Sequence, residues 1–132
     1  MSIAYRGEQT RKDSAFYDFT LVLGGISEIT DELESKLFDA GCDDALLGCQ
    51  DGKIFLDFTR ESESLLKAIV SAIRCVETAG IEGLRVVEVL PPEMATIEFV
   101  NSFLELRNRF PRKLGDFDDE FWQLLAKAGM KT

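Results

Sequence analysis

Apolar and polar residues alternate along residues 16–23 (FYDFTLVL). This predicts a strand with Phe19, Leu21 and Leu23 on one face and Asp18, Thr20 and Val22 on the other. Gly24-Gly25 ends it. The period then becomes helical: Ile29, Leu33, Leu37, Phe38 and Ala40 form a stripe, with Ser27 or Thr30 as the cap. Asp31, Glu32 and Glu34 lie near the positive end of that helix, and Gly41 is placed to stop it. Alternation returns in GCDDALLGCQDGKIFLDFTRES, residues 41–62, which reads as two strands joined by an Asp51-Gly52 turn. The turn sets a register in which Gln50 faces Lys53, Cys49 faces Ile54, Leu47 faces Leu56 and Ala45 faces Phe58. Continued outward, it places Asp43 opposite Arg60 as a cross-strand ion pair. Ser62 is the candidate cap of a second helix, whose Leu65, Ala68, Ile69, Ala72, Ile73 and Val76 give the cleanest helical period in the chain. Ala79-Gly80 closes that helix, and Leu84–Leu90 is a fourth strand ended by Pro91-Pro92.

The order strand, helix, strand, strand, helix, strand predicts an α+β domain of the ferredoxin-like βαββαβ type. It is an antiparallel sheet with two helices on one face. Right-handed crossovers put the first strand between the third and the fourth. The helix-covered face is then predicted to hold Phe19, Leu21, Leu23, Ala45, Leu47, Cys49, Ile54, Leu56, Phe58, Val87 and Val89. The opposite face would hold Phe16, Asp18, Thr20, Val22, Asp44, Leu46, Phe55, Asp57, Thr59, Val86, Glu88 and Leu90. That second set mixes large apolar groups with four carboxylates. Leaving Phe16, Phe55 and Leu90 in water forgoes roughly 1.5–3 kcal/mol each, so a cover for this face is expected.

Beyond residue 92, Phe99, Val100, Phe103 and Leu104 mark one helix. Pro111 bars its continuation, and Asp116 and Asp119 open a second, with Phe117, Phe121, Trp122, Leu124 and Leu125. The chain thus divides into a flexible arm over residues 1–15, the α+β domain over 16–92 and a C-terminal helical hairpin, an appendage, over 93–132.

Composition narrows the function classes. A chain of 132 residues with 45% hydrophobic and 30% charged residues is one ordinary globular domain. No apolar run approaches the roughly 20 residues a spanning helix needs, and residues 1–17 lack the apolar core of a signal peptide. A cytoplasmic location is therefore expected. There is no histidine, which removes the commonest general base and transition-metal ligand. The net charge is −9, and residues 16–90, with six basic and fifteen acidic side chains, hold the whole excess. Such a block repels phosphate backbones and suits a basic protein partner. Three cysteines without a CxxC spacing argue against a disulfide framework or zinc site. Cys49 and Cys75 read as small buried hydrophobes, and Cys42, beside Asp43 and Asp44, reads as a poor nucleophile. Arg107, Arg109, Arg112 and Lys113 form a basic cluster followed by Asp116, Asp118, Asp119 and Glu120, which suggests local ion pairing.

The stretches AGCDDALLG, LDFTRES and AIVSAIRCVETAG resemble a family of small bacterial proteins of mostly uncharacterised role. In many of them such a domain precedes a helix-turn-helix DNA-binding segment. The resemblance covers about residues 16–90 and implies a cytoplasmic regulatory or antitoxin-like protein in a toxin–antitoxin, phage or transcription-regulation setting. After Pro92 this chain departs from the pattern: TIEFVNSFLELRNRFPRK lacks the small residue and turn glycine of that motif. Direct DNA recognition by the tail is not expected.

The expected function is accordingly a non-enzymatic, protein-binding regulatory module that forms a homodimer and needs no cofactor. Its contacts are assigned to Phe16, Asp18, Asp44, Leu46, Phe55, Asp57, Glu88, Leu90, Phe99, Phe103 and Trp122. Pairing through the edge strand Leu84–Leu90 is a further route to a dimer. One alternative is an acidic inhibitor or nucleic-acid mimic. Another is a small metal-dependent enzyme using Asp18, Asp44, Asp57 and Glu88, since hard cations prefer oxygen ligands.

Overall fold

A computed structural model describes residues 14–109. The elements run β1 (Ala15–Gly24), α1 (Asp31–Asp39), β2 (Ala45–Gln50), β3 (Lys53–Ser62), α2 (Leu65–Glu77), β4 (Arg85–Leu90) and α3 (Ala95–Arg109). The architecture is α+β: one four-stranded antiparallel sheet with three helices, in the strand order β2-β3-β1-β4. β1 lies between β3 and β4, where the crossover rule puts it. Trp122, the second helix of the expected hairpin, most of the expected arm, Arg112 and Lys113 lie outside the described residues.

The β2–β3 hairpin has the register that its turn demands, from Gln50↔Lys53 to Ala45↔Phe58. Asp51 and Gly52 both have positive φ, 53° and 78°, as a type I′ turn requires. Thr30 caps α1 by accepting a hydrogen bond from the Leu33 amide at 3.0 Å. α2 is capped by Ser64 rather than the expected Ser62, because β3 continues to Ser62, which pairs with Ala15. Phe19, Leu21, Leu23, Ile54, Leu56 and Phe58 from the sheet form one core with Leu33 and Leu37 of α1 and Ala68, Ile69, Ala72, Ile73 and Val76 of α2. Phe19 and Phe58 stack in it at 5.3 Å between ring centroids.

Two expected positions change on β4. Leu21 pairs with Val89 and Val22 with Glu88, but Leu23 pairs with Val86, so Val87 is an extra residue in a bulge. The bulge reverses the alternation. Val86 is therefore fully buried and Val87 only half-buried, the opposite of the strict period-2 expectation.

The largest departure concerns α3. Its Ile97, Val100 and Leu104 are fully buried in the same core as the sheet, at helical spacing. Phe99 and Phe103, expected to mark its apolar face, lie outward and half-buried respectively, in an edge-to-face contact. The helix also binds the outer edge of β4. The Asn101 side chain accepts from the Val89 amide at 2.7 Å and donates to the Val89 carbonyl at 2.9 Å. Arg107 pairs bidentately with Glu77 at the end of α2 and donates to the Val86 carbonyl, while Glu77 accepts from the Val86 amide at 2.8 Å. Expected edge pairing through Leu84–Leu90 is thus corrected: the backbone groups another strand would use are already bound.

Candidate interaction surface

The sheet face away from the helices is organised in rows across the strands. One row runs Gly48, Phe55, Val22, Glu88, and the next runs Leu46, Asp57, Thr20, Leu90. Thr59 opposite Asp18 and Glu61 opposite Phe16 complete it. Each row carries one carboxylate beside apolar or hydroxyl groups. Asp18, Asp57 and Glu88 therefore do not converge. Asp18 accepts from the Thr59 hydroxyl at 2.7 Å and Asp57 from the Thr20 hydroxyl, so each has its own donor on the neighbouring strand. Among the described residues no group of three acidic or thiol side chains gathers to hold a metal ion.

Phe16 (66% exposed) and Leu46 (76%) stand out from this face. Phe55 is half-buried because its ring lies over Gly48; a Cβ there would come within 2.7 Å of it. Thr20, Val22, Phe55, Asp57 and Leu90 line a shallow hollow of about 390 Å³ with the hairpin turn residues. Phe16, Asp18, Leu46, Phe55, Asp57, Glu88 and Leu90 thus share the face assigned to them. Phe99 and Phe103 belong to α3, beyond the edge of β4.

Asp44 does not share that face, and Asp43 is not the partner of Arg60. The ladder begins at Ala45, so strand alternation does not extend to residues 43 and 44. Arg60 instead reaches Asp44, with Nε to Oδ2 at 2.8 Å and Nη2 to Oδ1 at 2.9 Å. It sits on the helix-covered side, 4.9 Å from the centre of the Phe58 ring. Its Nη2 donates to the Gly41 carbonyl at 2.6 Å and its Nη1 to Ser71 Oγ at 3.0 Å. Burial disfavours the guanidinium charge, but Asp44 and Cys75 outweigh this and hold the group further toward its charged form. Arg60→Lys is expected to cost about 1–2 kcal/mol, because an ammonium keeps the charge but not the fork. Urea unfolding would read it, and an unchanged midpoint would mean that charge alone matters here.

The second open feature is the outer edge of β2, the sheet's other margin. Cys49 on this strand is exposed, not buried as expected, since β2 is the outermost strand among the described residues. A groove of about 670 Å³ follows this edge between β2 and α1. Its apolar lining includes Phe38, Leu46 and Leu47, and its rim carries Asp31, Glu34 and Asp39. Phe38 was expected in the buried stripe of its helix, yet it is 63% exposed while Leu33 and Leu37 are buried. Phe38 lines the groove beside β2, the last strand of the described sheet.

Among the described residues no helix is long and apolar enough to cross a membrane. Comparison with protein-family models, curated proteins and solved structures finds no match to this chain, so its function is argued from the geometry above.

Proposed function

We propose that this chain is a non-enzymatic interaction module on a ferredoxin-like domain, working in the cytoplasm, which forms a homodimer and binds a basic protein segment. The carrying observation is the contrast between the two margins of the sheet. Asn101, Arg107 and Glu77 occupy the edge of β4. Among the described residues nothing occupies the edge of β2, which is bordered by exposed Phe38 and Leu46 with three carboxylates. An extended segment adding to β2 would satisfy the strand's free backbone groups. Lysine or arginine in it would meet Asp31, Glu34 and Asp39, and its apolar side chains would meet Phe38 and Leu46. The homodimer contact is assigned to the open face around Phe16, Phe55 and Leu90. The regulatory, antitoxin-like setting draws on the motif resemblance.

The test is a titration of the full chain with a short peptide alternating lysine and valine. Leu46→Lys is expected to weaken binding about tenfold, and raised salt to weaken it in the parent protein. Equal binding of a peptide with glutamate in place of lysine would overturn the groove assignment. For self-association, light scattering is expected to give a dimer that salt does not dissociate, and a monomer at all concentrations would retire that part. The exposed carboxylates of α1 favour one second reading, an acidic inhibitor of a nucleic-acid-handling protein. It predicts that nucleic acid competes with this chain for the partner.

A further inference from the structure

The open end of the hairpin brings together two thiols and a guanidinium that the interaction surface does not use. Cys42 follows the turn leaving α1 and is buried. Cys75 lies on α2, one helical turn after Ser71 and on the same face, and is half-buried. The two thiols are near enough to act on each other's ionisation. Gly41 lets them approach: a Cβ on it would lie 2.9 Å from Cys75 Sγ. Arg60 spans the cluster, its Nη1 3.9 Å from Cys75 Sγ while its other contacts hold Ser71, Asp44 and the Gly41 carbonyl.

The roles of the two sulfurs differ. Cys75 is the accessible sulfur, half-buried beside the Arg60 guanidinium, whereas Cys42 is buried. The interaction with Cys42 holds the Cys75 thiol below its ordinary range; burial opposes this, Arg60 supports it and Asp44 opposes it. The interaction with Cys75, together with burial, pushes Cys42 up. Cys49, on the edge of β2, is exposed and takes no part in this pair.

We infer that Cys75 and Cys42 are a peroxide-oxidisable pair, Cys75 the reacting sulfur and Cys42 the resolving one. In the first step the Cys75 thiolate attacks a hydroperoxide: the S–O bond forms and the O–O bond breaks. The leaving oxygen takes a proton from solvent, and Cys75 becomes a sulfenic acid. In the second, the Cys42 sulfur attacks the Cys75 sulfur. The S–S bond forms, the S–O bond breaks, and the hydroxyl departs as water with the Cys42 proton. The two electrons lost by the sulfurs are those gained by the peroxide. The product ties the turn after α1 to α2, beside the groove that Cys42 also lines.

Treating the reduced full chain with hydrogen peroxide and mapping its peptides tests this. Expected is a linked Cys42–Cys75 peptide with Cys49 still free; oxidation of Cys49 with both other thiols left reduced would overturn the inference. In the untreated parent protein, iodoacetamide is expected to alkylate Cys75 about tenfold faster than Cys49 near neutral pH, with a lower pH midpoint. A Cys75 rate no greater than that of Cys49 would also overturn it. In Cys42→Ser the sulfenic acid should persist and be trapped by dimedone at Cys75, and peroxide treatment without an adduct there would refute the assignment of roles.

Discussion

Arg107→Ala is expected to cost about 3–5 kcal/mol of stability, the range for removing one partner of a buried ion pair. The Arg107 side chain is 9% exposed and that of Glu77 18%, so solvent replaces little of the lost interaction. The guanidinium donates to both oxygens of the Glu77 carboxylate and to the Val86 carbonyl. Its removal leaves a carboxylate inside with only the Val86 amide as its remaining donor in this lock. The consequence reaches past stability. Glu77 and Arg107 seal β4 at Val86, and a freed edge strand pairs with other chains. The variant should therefore unfold at much lower urea and aggregate near its transition. A double-mutant cycle with Glu77→Gln separates pair from parts, and a coupling below about 0.5 kcal/mol would show that the bidentate contact contributes little beyond burial.

Gly25→Ala is expected to be of similar size, about 3 kcal/mol or more, or to prevent folding. Gly25 has φ +85°, a conformation that costs an L-residue roughly 1–2 kcal/mol by itself. The added Cβ would also stand 1.7 Å from the Gly83 carbonyl oxygen. That neighbour is backbone and cannot turn aside as a side chain can. Gly83 has φ +82°, so the β1–α1 and α2–β4 loops meet backbone to backbone, just past the Gly24–Arg85 pair. Relieving the clash would part the end of β1 from the edge strand β4. Thermal unfolding reads this directly, and a melting temperature within a few degrees of the parent would mean that the loops can separate without disturbing the sheet.

Much of the site was legible because hairpin register is a local property. Asp51-Gly52 determines which residues pair, and pairing determines which share a face. Hence Leu46 and Phe55 could be assigned to their face from the sequence, and strand alternation with the crossover rule added Phe16 and Leu90. The same logic misplaced Asp44, because it carried strand alternation past the point where the ladder ends. It missed Arg60 as the centre of a cluster, since Gly41 lies in the turn after α1 while Ser71 and Cys75 lie on α2, two segments well apart in the chain. Phe38 was missed as well. Helical spacing puts it beside Leu37, and only the position of the sheet margin shows that it projects beyond the core.

α3 marks the same boundary between local and tertiary information. The sequence shows an amphipathic segment, but of its conspicuous residues Phe99 is exposed and Phe103 only half-buried at the margin of the core. The useful signal was Ile97, Val100, Leu104 and Arg107 at helical spacing, with an arginine continuing the apolar stripe. That arginine reads as a surface charge until Glu77, thirty residues earlier, is brought next to it. By itself, then, the sequence determined the strands and helices, the hairpin register and the apolar faces, because periodicity, caps and turn residues act over a few neighbouring positions. Only the tertiary structure decided which sheet edge stays open, which charges are paired inside and which thiols meet. Those depend on contacts between segments far apart in the chain, and no local pattern encodes which distant side chain will satisfy a buried charge or a free strand edge.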